Sequence, residues 1–342
     1  TTFTGNEILH DVNTSKQKEL QCKGCTNQCS VVRFRFANGN TCYAGNKCEK
    51  VFYNKSIHQE KGNNAFDHKN ETLFDRNAVN QTTTNAQKIG IPRVLNMFEN
   101  YPFWHTLFTE CGIEVVLSPE STFTLYQEGV GSIMSENICF PAKLVHGHIH
   151  ALIDKQVDRI FYPIVPTEEK EFGCSNNSYN CPVVSGYPEV IRSSMEPEER
   201  YNIAFDKPVI NFKDTRSLEK SCQRYLATLG ITPTVFKNAF ARALQERRST
   251  ESRIADPQKE RLEQHIRQGK LSFIVAGRPY HTDPLIHQKV GQILAGLGAD
   301  VYTVDVFRHD SAKGFGTLSI VSQWSYPNRV VQAAMEVAKL PA

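Results

Sequence analysis

A chain of 342 residues is long enough for two or three domains, each with its own buried core. Its 39 basic and 36 acidic residues nearly balance, which removes any compositional argument for nucleic acid or another polyanion as partner. No apolar run approaches the ~20 residues needed to span a bilayer, and no secretory signal opens the chain, so a cytoplasmic protein without membrane contact is expected.

The chain begins Thr1-Thr-Phe-Thr rather than with Met, so a fragment or processed product is expected. Ten cysteines is a high count for α/β-like sequence. Secreted disulfide scaffolds are shorter and richer in loops, so the count favours a metal or cluster protein.

Residues 1–20 are polar and weakly patterned. Cys22-Lys-Gly-Cys25 and Cys29 then precede an alternating stretch, Val31–Phe36, with a turn signal at Asn38-Gly39 and a short return strand. Such a hairpin carries Cys48 back towards Cys22, Cys25 and Cys29, and Gly24 and Gly45 let the backbone fold tightly there. Four thiolates suit zinc or an iron–sulfur cluster, and the spacing does not choose between them. Cys42 is the spare, expected to pack, with replacement of Cys48 as the alternative. A short helix or irregular arm near Asn70–Val79 and a linker through Thr82–Asn85 follow, with a domain boundary near residue 88.

From Ile89 strands and helices alternate. Arg93–Phe98 reads as a strand, then a helix runs from Asn100, with Pro102 in its first turn, to Cys111-Gly112. Glu114–Leu117 is the next strand, and Thr124–Gly131 a short helix. Cys139 precedes a helix over Pro141–Lys155. Its His146, His148 and His150 do not share a face, so packing or surface positions are expected for them. Arg159–Val165 is apolar throughout, as an interior parallel strand should be. Gly173–Asn180 reads as a loop holding Cys174, Cys181–Val184 as a short strand, and Pro188–Met195 as a helical turn. A second boundary is expected at Glu196–Arg200. Pro208–Phe212 reads as a strand and Leu218–Leu229 as a helix. Thr234–Leu271 reads as one long charged helix or a pair split at Asp256-Pro257, with a solvated charged face. Strand Ser272–Ala276, loop Gly277–Pro284, helix Leu285–Leu297, strand Ala299–Val304, a loop at Gly314-Phe-Gly316 and helix Asn328–Leu340 complete the reading.

The expected fold is therefore α/β: two doubly wound, Rossmann- or flavodoxin-like parallel-sheet domains behind a small cysteine-rich β-hairpin module. The domains are residues 1–88, 89–200 and 201–342, the last cut short where a further strand is due. Loops that follow parallel strands meet at one sheet edge, where ligands bind. Cys139 and Cys181 should face each other across that edge. Arg278 and His281 lie on a strand-end loop facing it, and Lys143 stands one turn beyond Cys139. Each is a candidate contact for an anion. No Walker-type nucleotide loop and no Gly-x-Ser-x-Gly elbow occurs.

Four stretches together carry a family resemblance: Ile138-Cys-Phe-Pro-Ala-Lys-Leu-Val-His-Gly-His148, Phe161-Tyr-Pro163, Asn180-Cys-Pro-Val-Val-Ser-Gly-Tyr-Pro188 and Gly277-Arg-Pro-Tyr-His281. They resemble the activase-related proteins of the 2-hydroxyacyl-CoA dehydratase system, whose relatives include the dehydratase subunits and the double-cubane cluster proteins. Cys22–Glu49 resembles the cysteine-rich piece that connects ATP-hydrolysing activase domains to such a region. The resemblance implies an iron–sulfur cluster, 4Fe-4S or double-cubane, held between two α/β domains by Cys139 and Cys181, with Cys174 the less secure third ligand. It implies an activase domain as partner, upstream or separate, acyl-CoA as a further contact, and homodimerisation as an open arrangement. The family's further cysteine from the second domain has no counterpart here, since Cys222 falls off any motif and the matching loop would lie beyond Ala342. Three functions stand against each other: an electron-transfer or reductase-type module, a dehydratase-like enzyme working on the acyl-CoA, and a non-catalytic scaffold with zinc at residues 22–48. The first is the expectation; no catalytic residue is assigned.

Overall fold

The computed structural model describes residues 14–23, 29–36, 39, 41–45, 51, 61–76, 87–313 and 323–340. Gly24, Cys25, Asn38, Cys48, the Thr82–Asn85 linker and Gly314-Phe-Gly316 lie outside the described residues. The chain forms two compact units, Thr1–Glu60 and Lys61–Ala342.

In the first unit β1 (Lys16–Gln21), β2 (Ser30–Arg35) and β3 (Thr41–Ala44) make an antiparallel meander. Strand β1 was not expected. Its sequence, Lys-Gln-Lys-Glu-Leu-Gln, has no apolar alternation, and it is held by its ladder to β2, with Leu20 opposite Val31. Gly39 supplies a positive φ at the β2–β3 turn. Gly45 is needed twice over: its φ is +87°, and a Cβ there would lie 2.6 Å from the Ser30 carbonyl oxygen.

The second unit begins with α1 (Ala65–Phe74), capped by the Asn64 side chain, earlier than the expected Asn70–Val79. Four parallel strands follow: β4 (Lys88–Ile91), β5 (Glu114–Leu117), β6 (Arg159–Phe161) and β7 (Ala204–Asp206), in the order β5-β4-β6-β7. The chain steps one way from β4 to β5 and then crosses back to β6. The topological switch point is therefore between β4 and β6. Helices α2 (Met97–Glu110), α3 (Phe123–Gly129), α4 (Phe140–Asp154), α5 (Pro182–Met195), α6 (Pro197–Tyr201) and α7 (Thr215–Thr228) punctuate these strands. The 35-residue α8 (Pro233–Arg267) lies against α2. Strands β8 (Ser272–Val275) and β9 (Asp300–Thr303) pair in parallel through α9 (Val290–Gly296), and α10 (Ser325–Val337) comes last.

Several expectations are corrected. Arg93–Phe98 is not a strand: Pro92 cannot extend the ladder, Leu95 turns the chain at a φ of +46°, and α2 begins at Met97. Pro102 therefore sits inside α2. Cys181–Val184 is not a strand either: Cys181 is an N-cap, and Pro182 occupies the first turn of α5, where its missing N–H costs nothing. Strand pairing at Pro208–Phe212 reduces to one bridge, Ile164 to Val209, and the strand proper is β7. Strand β6 ends at Phe161, and the helix expected from Leu285 starts at Val290. Asp256-Pro257 does not split α8. Pro257 cannot donate to the Arg253 carbonyl, and His68 Nε2 bonds that oxygen instead, at 3.1 Å. Nor is α8 solvated along all of its charged positions, since Arg247 is buried beside Glu251, 3.3 Å away.

Aromatic side chains fill the core between the sheet and α8. Trp104 and Phe161 meet edge to face at 4.8 Å, with Phe103, Phe108, Phe212 and Phe240 around them. A buried ionic cluster joins α1, α2 and α10: Lys69 pairs with Asp305 at 2.6 Å, and Glu99 with Arg308 at 2.5 Å and Arg329 at 2.9 Å. Among the described residues no helix is long and apolar enough to cross a membrane.

Candidate functional site

Helices α4 and α5 each run back from the carboxyl edge of the sheet, so both N-termini stand at that edge beside the switch point. Cys139 is the N-cap of α4 and Cys181 the N-cap of α5. Each has an extended backbone and a proline in the following turn.

The two helices are tied together below their first turns. Ser132 Oγ donates to the Gly129 carbonyl at 2.9 Å, so it accepts from His146 Nδ1 at 2.8 Å. His146 Nε2 is then an acceptor, and Tyr187 Oη of α5 donates to it at 3.0 Å. The imidazole stays neutral: burial, and then the charge of His150, lower its pKa to about 4. Two residues on, His148 closes a second chain of bonds. The Arg93 backbone N–H donates to Ser118 Oγ at 2.7 Å, and Ser118 donates to His148 Nδ1 at 2.8 Å. His148 Nε2 donates to Ser121 Oγ at 2.9 Å, and Ser121 donates to the Asp283 carboxylate. One tautomer satisfies every member. Burial, and then Arg93, hold His148 neutral, with its pKa lowered to about 3.

Asp283 ends a tight turn over Pro279–Thr282 that presents Arg278 and Tyr280. Arg278 Nη1 donates to Tyr280 Oη at 2.8 Å, and its guanidinium also hydrogen-bonds Cys181. Burial alone would lower the Arg278 pKa; Tyr280 and Cys181 turn the shift upward. Burial pushes Tyr280 up against the lowering effect of Arg278, and Cys181 and Cys139 add smaller contributions to the rise. Both thiols thus lie within electrostatic reach of one phenol. Tyr187 is pushed up to about 12, by burial and then by Cys139. Tyr162, directly after β6, is fully buried and feels Tyr187 and Cys139. The edge therefore holds two thiols, two helix N-termini, one guanidinium and three phenol hydroxyls. This donor set suits a negatively charged, thiolate-bound group.

The remaining candidates sit elsewhere or have other partners. Cys174 is exposed in its loop. Lys143 Nζ donates to the Glu136 carbonyl at 2.8 Å and so ties down the segment leading to Cys139. His281 Nδ1 accepts the Arg278 backbone N–H at 3.2 Å, which shapes the turn. In the first unit Cys22 N–H bonds the Cys29 carbonyl at 2.8 Å, placing both residues at one end of the β1–β2 hairpin; Cys42 lies within β3. Among the described residues no three His, Cys, Asp or Glu side chains group as a metal site. A cavity of about 430 Å³ is lined by Asp67, Glu71, Phe74, Arg93, Glu120 and His287 among others, not by either edge cysteine.

Sequence reasoning gave no role to Tyr162, Tyr187 or Tyr280, because a tyrosine among apolar residues reads as core. The signal was there: each of the three adjoins a proline inside a resemblance motif, as Tyr162-Pro163, Tyr187-Pro188 and Pro279-Tyr280.

Comparison with curated proteins and with solved structures finds no match to the chain. A family model described as "CoA enzyme activase uncharacterised domain" matches residues 88–307. That span is well over half of the chain and includes Cys139, Cys174, Cys181, Arg278 and His281, but not the cysteines of the first unit. The chain therefore belongs to the CoA enzyme activase domain family, as its motifs at Cys139, Cys181 and Arg278 had implied.

Proposed function

We propose that this chain is an electron-carrying module of a CoA enzyme activase system, holding an iron–sulfur cluster through Cys139 and Cys181. One observation carries the reading: two cysteines cap separate helices at the switch-point edge, Tyr280 lies within electrostatic reach of both, and Arg278 hydrogen-bonds one of them, Cys181. Cys139 and Cys181 supply thiolate ligands, and remaining ligands come from Cys174 or from outside the described residues. Arg278 and the two helix ends offset the thiolate charge, while His146 and His148 fix the helix that carries Cys139. A cluster bound there supplies one-electron chemistry at low potential. The electron donor in this reading is an ATP-hydrolysing activase domain, in the same polypeptide or separate, and the acceptor a 2-hydroxyacyl-CoA dehydratase. Cys22, Cys25, Cys29 and Cys48 form a separate zinc or cluster site.

The test is anaerobic purification, or reconstitution with ferrous iron and sulfide, followed by iron, sulfide and zinc analysis and EPR of the reduced protein. Wild type should carry iron and sulfide, and C139S and C181S should each lose the share bound at the sheet edge. C174A reports whether the third thiol contributes. Zinc alone in wild type, or full iron content in a C139S/C181S double variant, overturns the reading.

A further inference from the structure

We propose that Tyr162 donates its hydroxyl hydrogen to the thiolate-bound group at Cys139 and Cys181, and so sets that group's reduction potential. The inference rests on the cluster reading above and assigns a residue to it.

Strand alternation places the Tyr162 side chain. Arg159 and Phe161 of β6 face α2 and α7, where Phe161 meets Trp104, Phe108 and Tyr225 and where Arg159 reaches Asp206 beside the Tyr225 hydroxyl. Tyr162 N–H donates to the Asp206 carbonyl at 2.8 Å, so the ladder continues through this residue. The next side chain must then point to the opposite face, towards α4 and α5. There its ring is fully buried, and Tyr187 and Cys139 are its phenol and thiol neighbours.

Its hydroxyl has no hydrogen-bond partner among the described residues. Buried hydroxyls nearly always have one, because a buried orphan forfeits its bonds to water and gains nothing. Tyr187 is not its partner: the Tyr187 hydroxyl donates to His146 at 3.0 Å and makes no hydrogen bond with that of Tyr162. Trp104 Nε1 is likewise unpartnered, but it lies within a cage of aromatic rings whose faces accept weakly. Tyr162 instead stands at the sheet edge where the two cysteine-bearing helices begin. A hydroxyl kept there without a protein partner is a donor waiting for an acceptor. Thiolate or sulfide sulfur is the acceptor that the cysteines imply, and hydrogen bonds to sulfur are a main determinant of cluster potential.

The test is Tyr162→Phe in the full chain, which removes one oxygen and keeps the ring. In the metal-free protein Y162F should unfold at the same temperature as wild type or higher, because the hydroxyl holds nothing there. After reconstitution to equal iron content, the midpoint potential should shift to a more negative value, with an altered sulfur-to-iron charge-transfer absorption. An unchanged potential and spectrum at equal iron content overturns the inference and leaves the cluster reading standing. A lower unfolding temperature in the metal-free variant also overturns it, by giving the hydroxyl a structural partner. Wild type that takes up no iron removes both proposals together.

Discussion

Gly147 lies between the two anchoring histidines, and the packing there sets a sharp test. A Cβ on Gly147 would fall 2.1 Å from the Leu125 carbonyl oxygen and 2.8 Å from its carbon. The facing glycine repeats the constraint: a Cβ on Gly129 would lie 2.3 Å from Gly147 N. These neighbours are backbone, so no rotamer change relieves them, and α3 must move away from α4. Ordinary contact begins near 3.4 Å. Gly147→Ala therefore demands a displacement of roughly 1.3 Å, at the upper end of the 1–3 kcal/mol or more that overpacking costs. The helix-propensity gain from Ala returns about 1 kcal/mol. The expected net loss is about 2 kcal/mol, read as a lower urea midpoint. Gly186 of α5 is the control: it is exposed, and nothing lies within 4 Å of an added Cβ. Gly186→Ala should raise stability by up to about 1 kcal/mol. If the two alanine variants have the same midpoint, the close α3–α4 packing is wrong. The displacement should also disturb Ser121, just ahead of α3, so G147A is expected to take up less iron than G186A.

Of the three remaining expectations, one concerns an exposed proline and two concern buried groups. Pro257→Ala should stabilise the chain by about 1–3 kcal/mol, because an N–H at that position restores the intrahelical bond to Arg253; thermal unfolding measures it, and a lower midpoint counts against a continuous α8. Lys69→Met should cost about 3 kcal/mol by leaving the buried Asp305 carboxylate without its closest partner. Adding Asp305→Asn to that variant should recover part of the loss, and a double variant worse than the single would refute the pairing. The third concerns pH. The folded-state pKa of His148 is lowered to about 3, below the ordinary 6.5, so in this window the unfolded chain holds a proton that the folded chain lacks. Stability from this group is full above about pH 6.5 and falls by about 1.4 kcal/mol per pH unit as pH drops towards the folded value. Asp283 and Glu168, pushed up by burial, act in the opposite sense, so the comparison must be against a variant. His148→Gln should flatten the wild-type profile between pH 6 and 4 by that slope, and parallel profiles would show that His148 titrates normally.

Much of the α/β pattern was legible because buried parallel strands advertise themselves. Ile89, Ile91, Ile160 and Phe161 are fully buried, and short apolar runs of this kind, bounded by polar residues and turns, suit a strand covered on both faces. What failed was local. The Val183-Val184 pair has strand-like propensity, yet Pro182 and the Cys181 cap begin a helix there; tertiary packing of Val184 and Tyr187 overrides the local preference. Strand β1 has no apolar signal and exists through its partner's ladder. Pro257 reads as a break because a proline removes a helical donor, and nothing local reveals that His68, far away in sequence, supplies a replacement. In the site, cysteines and Arg278 were visible because their chemistry is specific. The tyrosines were not, because a phenol among apolar neighbours reads as core and only the adjoining prolines set these three apart.

His146, Gly147 and His148 each attach the Cys139 helix to a different element. His146 reaches α5 through Tyr187, Gly147 admits the backbone of α3, and His148 reaches the Asp283 turn through Ser121. These three attachments lie about two turns below the Cys139 cap, where α4 is rigid, so the cap inherits a fixed position and direction. The turn that carries Arg278 and Tyr280 is fixed by the same helix, and α5, which carries Cys181, by its neighbour. Both thiols, and Arg278 as the cationic partner of Cys181, are therefore referenced to one rigid tripeptide, not to a bound ion. A site organised this way is set before any group enters it, which is the condition under which electrostatic tuning by fixed donors is most effective. Both imidazoles act through neutral tautomers: Nε2 of His146 accepts, whereas Nε2 of His148 donates and Nδ1 accepts. Protonating either one removes an acceptor that a buried hydroxyl needs. The geometry of the sheet edge and the acid stability of the fold are thus two readings of the same pair of side chains.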